Sequence, residues 1–554
     1  MRYFDRNTWF WIAISGLFFL PFLGGVPLFD WDEINFAELA REMVVTGDWL
    51  RLQVNYESFT EKPPLFFWLQ AAAMSLLGVG EYAARLPNAL LGLIVLPFLY
   101  ISGKFLVDRK LGFLWALSWL GSILPFLYFK SGIIDPYFNF FIFLGLFFLI
   151  QYLWKKREER GIYLSKGPVT YWVMAAIFTG LGILTKGPVA YLLIALTLAS
   201  YYVFVRPRSF FGLSLLLRYS LLTLLVFLIW FALEWALHGP DFLLEFTIRQ
   251  WELLTSADAG HRGFPGYHFV VLLLGCFPAS IFALRALRSV KGIKPHVQEF
   301  QRWMITLLLV VLILFSLVGT KVVHYSSLAY YPLTFLSALM LWHITEFPRS
   351  YRRWMHGLVL FIGFLAVLIS AALPWAGQNI EKLKPLFEKD PFALANLSAA
   401  VEWQVWDYTP AVVLSLVLVI YFLFVHKYPR FGFRLLFFGT ALWSFLCLIF
   451  FLGKIERYSQ HASVTFFSQY AGEEVYVTTY HYKSYVPWFY ARVVPYENSR
   501  ANSREWLLHG RTDRPVIIST KVQHVQELES DVPDARLIHA ENGFYFYQRQ
   551  AYYE

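Results

Sequence analysis

Residues Phe29–Trp68 read FDWDEINFAELAREMVVTGDWLRLQVNYESFTEKPPLFFW. An apolar run, Trp9–Val26, precedes this stretch, and another, Leu65–Leu77, overlaps its end. Asp32-Glu33 and Glu61-Lys62-Pro63-Pro64 therefore lie beside membrane-like sequence. Ionisable groups are costly there and are kept mainly where function requires them. Whether Leu65–Leu77 crosses a bilayer sets the topology of everything downstream.

Composition supports the membrane reading. The 554 residues are 58% hydrophobic, 20% aromatic and 15% charged, against roughly 25% charged in a soluble domain. The net charge of +9 fits a bias of basic residues to cytoplasmic loops. Those residues are scattered over short loops rather than gathered on one element, which excludes nucleic acid as a partner and leaves anionic lipid. Cys276 and Cys447 lie in apolar runs, so neither a structural disulfide nor a cysteine metal motif is expected. Trp9–Val26 is long and no small-residue cleavage site follows it, so it is expected to be a retained helix.

Runs approaching the roughly 20 apolar residues of a span begin near residues 8, 86, 111, 135, 169, 187, 214, 267, 303, 324, 354, 408 and 431. Leu65–Leu77 is shorter and follows Pro63-Pro64, which suits an interfacial helix. If it does not cross, Lys104/Arg109/Lys110, Lys155/Lys156/Arg157, Arg285/Arg288 and Arg349/Arg352/Arg353 fall on the side of the N-terminus. If it crosses, they fall outside, against the positive-inside rule. The expected fold is a polytopic α-helical membrane protein with about 13 crossings, the N-terminus inside. Residues 1–453 form the membrane domain, with 28–80 as the first outer loop and its interfacial helices. Residues 454–554 form a small outer α/β domain, with strands expected at Val475–Thr479, Val486–Tyr490, Val516–Ser519 and Phe544–Tyr547.

This topology sends the unexplained polar residues to one face. Asp32 is expected to begin a short helix on the membrane, where its carboxylate can orient or deprotonate an acceptor. Lys62 can hold a lipid phosphate, its approach fixed by the two prolines. Asp135-Pro136 opens a span, and Lys186 sits in a tight turn that implies an anionic partner, either Asp32 or Asp135. Arg249 and Arg262 share an outer loop with His261; Glu61 and His261 together could bind a divalent metal, zinc or magnesium. Lys321 and Tyr325 pair a cation with a phenol, which suits a phosphate. No phosphate-cradling loop, GxSxG or HExxH is present, which disfavours a nucleotide-driven pump.

Asp32-Glu33, Ala40–Met43, Gly47-Asp48-Trp49, Glu61–Leu65, Trp68, Gly78, Glu81 and Ala84–Asn88 form an ordered set, continued by Asp135-Pro136, Thr185–Pro188, Gly319–Lys321, His324-Tyr325 and Pro332. Across roughly residues 8–345 the set resembles the GT-C glycosyltransferases of the protein-mannosyltransferase and lipid A aminoarabinose-transferase superfamily. The resemblance implies a polyprenyl-phosphate-linked sugar donor, such as an undecaprenyl phosphate sugar, and transfer on the outer, periplasmic face of a bacterial inner membrane. It implies Asp32 as first-loop catalytic aspartate, Asp135 as a second essential acid and Lys186 as a lysine bonded to the first aspartate. It also implies metal and phosphate binding by Glu61-Lys62 and phosphate contact by Tyr325. Two positions depart from the aminoarabinose-transferase pattern: Asn35 replaces an arginine, and Phe246 stands where a histidine often precedes Arg249.

The expected reaction is attack of an acceptor, lipid A or another glycolipid, on the donor's anomeric carbon. Lys62, Arg249, Arg262, Lys321 and Tyr325 would bind the leaving phosphate, and Lys186 would keep Asp32 ionised. The protein is expected to act as a monomer. A protein or oligosaccharide acceptor is the alternative. A lipid transporter is disfavoured, because the charges sit at one membrane edge and the two halves do not repeat.

Overall fold

The computed structural model describes residues 4–157, 167–207, 210–255, 263–319 and 321–552. Each apolar run picked out in the sequence falls at least partly on helix, though Trp9–Val26 is helical only as far as Phe19. The first elements are α1 (Arg6–Phe19), α2 (Asp32–Thr46), α3 (Leu65–Leu77), α4 (Glu81–Leu106), α5 (Arg109–Leu120) and α6 (Ile123–Tyr128). They continue with α7 (Asp135–Lys156), α8 (Pro168–Lys186), α9 (Val189–Val205), α10 (Leu213–His238) and α11 (Asp241–Thr255). Next come α12 (Tyr267–Gly275), α13 (Ala279–Ala286), α14 (Pro295–Leu317), α15 (Tyr330–Glu346) and α16 (Arg353–Gln378), followed by helices at Thr409–Phe424 and Pro429–Cys447. Among the described residues, eight helices are long and apolar enough to cross a membrane, or nine if α12 and α13, bent by 118°, make one span. The remaining apolar runs lie on shorter helices, such as α1 with 14 residues and α5 with 12.

Helices in a bilayer gain little from the hydrophobic effect against one another and rely on close packing. The α4–α5 contact shows this. A Cβ on Gly112 would lie 2.1 Å from the Tyr100 carbonyl, and one on Gly103 would lie 2.6 Å from Gly112 Cα. Around that contact an aromatic core interlocks α5, α7, α14 and α15, with Tyr331 stacked on Phe143 at 4.5 Å and Phe300 edge-on to Phe335 at 4.7 Å. At one end of the bundle the basic residues meet acids: Lys104 and Arg109 reach Asp5 at 3.0 and 3.4 Å, and Lys110 reaches Glu346 at 2.7 Å.

At the other end the first loop is folded tightly onto the bundle. Residues 33–43 of α2 are all buried. Glu42 accepts the N–H groups of Asn55 and Tyr56 at 2.6 and 2.9 Å. Those residues have φ of +54° and +59°, as a two-residue turn of this hand requires, and join β1 (Gln53–Val54) to β2 (Glu57–Ser58). Burial raises the Glu42 pKa and the neighbouring Glu38 raises it further, while Arg41 opposes. Glu38 is gripped by Arg41 with two 2.7 Å bonds.

The C-terminal domain holds a four-stranded sheet in the order β3-β4-β6-β5, made of β3 (Tyr476–Thr479), β4 (Val516–Lys521), β5 (Arg536–Glu541) and β6 (Phe544–Arg549). β3 and β4 run parallel; β6 is antiparallel to both β4 and β5. The strand expected at Val486–Tyr490 is instead a helix. Pro487 stands in its first turn, where a missing N–H costs nothing, and Val486, Phe489 and Tyr490 join the buried cluster that contains α2.

Candidate active site

A cavity of about 1440 Å³ opens where the first loop, the helix ends and the C-terminal domain meet. Its wall includes Asp32, Glu61, Lys62, Lys186, Arg249 and Tyr325, which lie far apart in sequence. Asp32 begins α2 and is 43% exposed, with His324 Nε2 3.8 Å from its Oδ2. Its neighbour Glu33 is turned inward and buried. The Glu33 carboxylate accepts two bonds from Arg85 at 2.8 Å, the Gly132 N–H at 2.6 Å and the Phe29 N–H at 3.0 Å. Burial acts to raise its pKa, but Arg85 and those N–H groups outweigh burial and hold it below the usual range. Arg85 also donates to the carbonyls of Leu23, Val26 and Pro27, so one guanidinium fixes the entry to α2.

Lys186 ends α8, and Gly187 turns the chain with φ +100°. A Cβ there would lie 2.8 Å from Gln250 Oε1, so the glycine leaves room for a side chain of α11. Lys186 bonds Asp135 Oδ1 at 2.7 Å and faces the rings of Phe138 and Tyr325 at 5.7 and 5.8 Å. Of the two expected partners the structure selects Asp135; the expected Lys186–Asp32 bond is replaced by this one, because both Asp135 and Lys186 stand at ends of packed helices. Asp135 itself is buried and does not line the cavity.

Arg249 on α11 reaches Glu61 Oε1 at 3.0 Å, and Gln250 donates to the Glu61 carbonyl at 3.0 Å. Among the described residues, Lys62 has only Glu61 Oε2, at 3.9 Å, as a salt-bridge partner. Burial lowers the Lys62 pKa and Lys186 lowers it further, while Glu61, Asp32 and Asp135 oppose. A cation that has lost water without gaining a close counter-ion favours an incoming anion. Lys321 behaves differently from expectation. Its ammonium donates to the carbonyls of Phe315, Ser316 and Val318 at 2.9, 2.7 and 2.6 Å. A lysine has three such hydrogens, so Lys321 caps α14, and it does not line the cavity. His261 and Arg262 lie outside the described residues.

The comparisons with known proteins agree on the fold. The family model for dolichyl-phosphate-mannose-protein mannosyltransferases matches residues 61–235. An undecaprenyl phosphate-alpha-4-amino-4-deoxy-L-arabinose arabinosyl transferase of Pseudomonas paraeruginosa is 27% identical over 402 residues, 70% of this chain and 68% of that protein. An uncharacterized protein of Aquifex aeolicus is 28% identical over 221 residues, 39% of this chain and 41% of that one. The crystal structure of ArnT from Cupriavidus metallidurans bound to undecaprenyl phosphate superposes with a TM-score of 0.74 at 18% identity, covering 98% of each chain. The chain shares its fold with that structure over nearly its whole length.

The C-terminal domain supplies the part of the site that the sequence left out. Lys483 and Tyr485 line the cavity. Lys483 Nζ lies 4.9 Å over Trp31, and Tyr485 meets Trp31 edge-on at 5.4 Å. Asp30 accepts the Tyr485 N–H at 3.2 Å. No motif in either segment marks them; only the domain contact does. Glu61 accepts from Arg249 at 3.0 Å, and His261, its expected partner in holding a divalent ion, lies outside the described residues. Among the described residues, three potential metal ligands converge only at His481, His524 and Glu527 of the C-terminal domain.

Proposed function

We propose that this multi-pass membrane protein transfers a sugar from a polyprenyl phosphate, such as undecaprenyl phosphate, to a lipid acceptor on the outer face of a bacterial inner membrane. The observation that carries this reading is the meeting of Lys62, Lys186, Arg249 and Tyr325 with Asp32 around one cavity beside apolar helices. The named Pseudomonas relative supports the donor class. The N-terminus is placed in the cytoplasm and the cavity and residues 454–554 in the periplasm, the protein acting as a monomer.

In this reaction the acceptor oxygen forms a bond to the anomeric carbon as the bond from that carbon to the phosphate oxygen breaks. Lys62 and Arg249, with the Tyr325 hydroxyl, stabilise the charge gathering on the departing phosphate. Asp32 receives the proton of an acceptor hydroxyl, or orients an acceptor that is already an anion such as a lipid A phosphate. Lys186 and Asp135 act as a pair that holds the Tyr325 side of the cavity, and one displacement inverts the anomeric carbon.

The test incubates the purified protein with a panel of polyprenyl-phosphate sugars and candidate acceptors and reads the products by mass spectrometry. Sugar on extractable lipid supports the proposal. Sugar on protein would select the protein acceptor, a reading the mannosyltransferase family match favours. No transfer from any donor would overturn the reaction class.

A further inference from the structure

Asn35 lines the cavity, yet its residue is only 7% exposed. Among the described cavity-lining residues, its Oδ1 is the buried side-chain polar atom without a hydrogen-bond partner. The other buried polar groups of the wall are engaged: Glu33 with Arg85 and two backbone N–H groups, and Arg85 with three carbonyls besides. A buried amide left unpaired costs stability and calls for an explanation. Packing supplies none, since leucine would fill similar space without a polar atom to satisfy.

Position narrows the ligand. Asp32, Asn35 and Phe36 stand at i, i+3 and i+4 on α2, so they share one helix face, and all three line the cavity. Asn35 is thus one helical turn beyond the proposed base. An amide both donates and accepts, and a half-turn about χ2 presents either end to the cavity. It adds no charge for a phosphate, which Lys62 and Arg249 already serve. A ring hydroxyl, itself both donor and acceptor, is the complementary group. We infer that Asn35 is a substrate-binding residue that reads a hydroxyl on the transferred sugar, and so selects the donor. This rests on the glycosyl-transfer reading above.

The experiment compares the full protein with Asn35→Ala and Asn35→Leu. It uses an undecaprenyl-phosphate hexose that the wild type transfers, together with its single-deoxy analogues. Three quantities are read: kcat/KM for each donor, affinity for undecaprenyl phosphate alone, and the melting temperature. One deoxy position should cost the wild type about 10- to 100-fold in kcat/KM. Each variant should lose a similar factor on the parent sugar and show no further loss with that analogue, while undecaprenyl phosphate affinity stays unchanged. If the deoxy penalties are the same in the variants as in the wild type, Asn35 does not read the sugar. An equal loss of affinity for undecaprenyl phosphate would make it a phosphate or structural residue instead. If Asn35→Ala fails to fold, Asn35→Leu, which preserves side-chain volume, carries the same comparison. Failure of the wild type to transfer any donor would remove the glycosyl-transfer reading and this inference with it.

Discussion

Asp32 and Glu33 are adjacent in sequence and line one cavity, yet their carboxylates are held in two different ways. Asp32 faces the cavity, partly exposed, with His324 at 3.8 Å. Glu33 also borders the cavity, but its carboxylate is held by the frame behind it, where Arg85 and two backbone N–H groups satisfy it. The same contrast runs through the whole site. The frame, made of Glu33–Arg85, Glu38–Arg41 and Glu42 on its hairpin, is buried and paired. The cavity wall keeps Lys62 and the Asn35 amide short of partners. A fully satisfied network fixes geometry, whereas an under-satisfied wall leaves interaction energy for a ligand.

The contrast is tested most severely by paired substitutions. Asp32→Asn should lower turnover by about 10²- to 10⁴-fold, as loss of a general base does, with affinity for polyprenyl phosphate and melting temperature retained. Turnover like the wild type would remove Asp32 from the chemistry. Arg85→Ala should do the reverse in kind. Breaking a buried pair strands Glu33 and costs about 3–5 kcal/mol, read as a lower melting temperature and poorer recovery of folded protein. An Arg85→Ala protein that melts like the wild type would mean that the frame does not hold α2.

Lys62→Ala sharpens the wall side. Charge-assisted hydrogen bonds contribute about 1.5–3 kcal/mol, so affinity for undecaprenyl phosphate should fall by roughly 10- to 100-fold. Because Lys62 has, among the described residues, only a 3.9 Å ion-pair contact to Glu61, removing it should leave stability nearly unchanged. Unchanged affinity would place the phosphate elsewhere, with Arg249 the next residue to examine.

Much of this was legible in the sequence for a physical reason. Hydropathy and loop charge report the solvent around each segment, so the helices, the shortness of α3 and the placement of Asp32 at a helix start could be read locally. What could not be read was pairing across the fold. Lys186 had two candidate acids, and only the juxtaposition of α7 and α8 chose Asp135. Lys321 looked like a phosphate ligand until the end of α14 took its three hydrogens. The β5 edge strand was missed because all six of its residues are exposed, leaving no alternation of polar and apolar residues to detect. Val486–Tyr490 is rich in strand-forming residues, but Pro487 and the contact with α2 make it helix.

The smallest expected effect concerns Asp30, at the seam between wall and frame. Its carboxylate lines the cavity, yet it also anchors the C-terminal domain through the Tyr485 N–H. Burial raises its pKa from 3.8 to about 6, against the opposing pull of Ser484, the Tyr485 N–H and Lys521. The sign follows from linkage. A carboxyl whose folded pKa exceeds its unfolded value binds its proton more tightly when folded, so ionisation costs stability. That cost is absent below pH 3.8, grows as pH rises, and is complete above about 6. At its upper bound it is about 3 kcal/mol. Asp30→Asn keeps an acceptor for Tyr485 and removes the titration. Its melting temperature should match the wild type near pH 4, exceed it at pH 7 to 8, and vary less between those limits. If the two proteins melt alike at both ends, Asp30 is solvated like the wall. If the Asp30→Asn protein is less stable than the wild type at every pH, the carboxylate is a paired member of the frame.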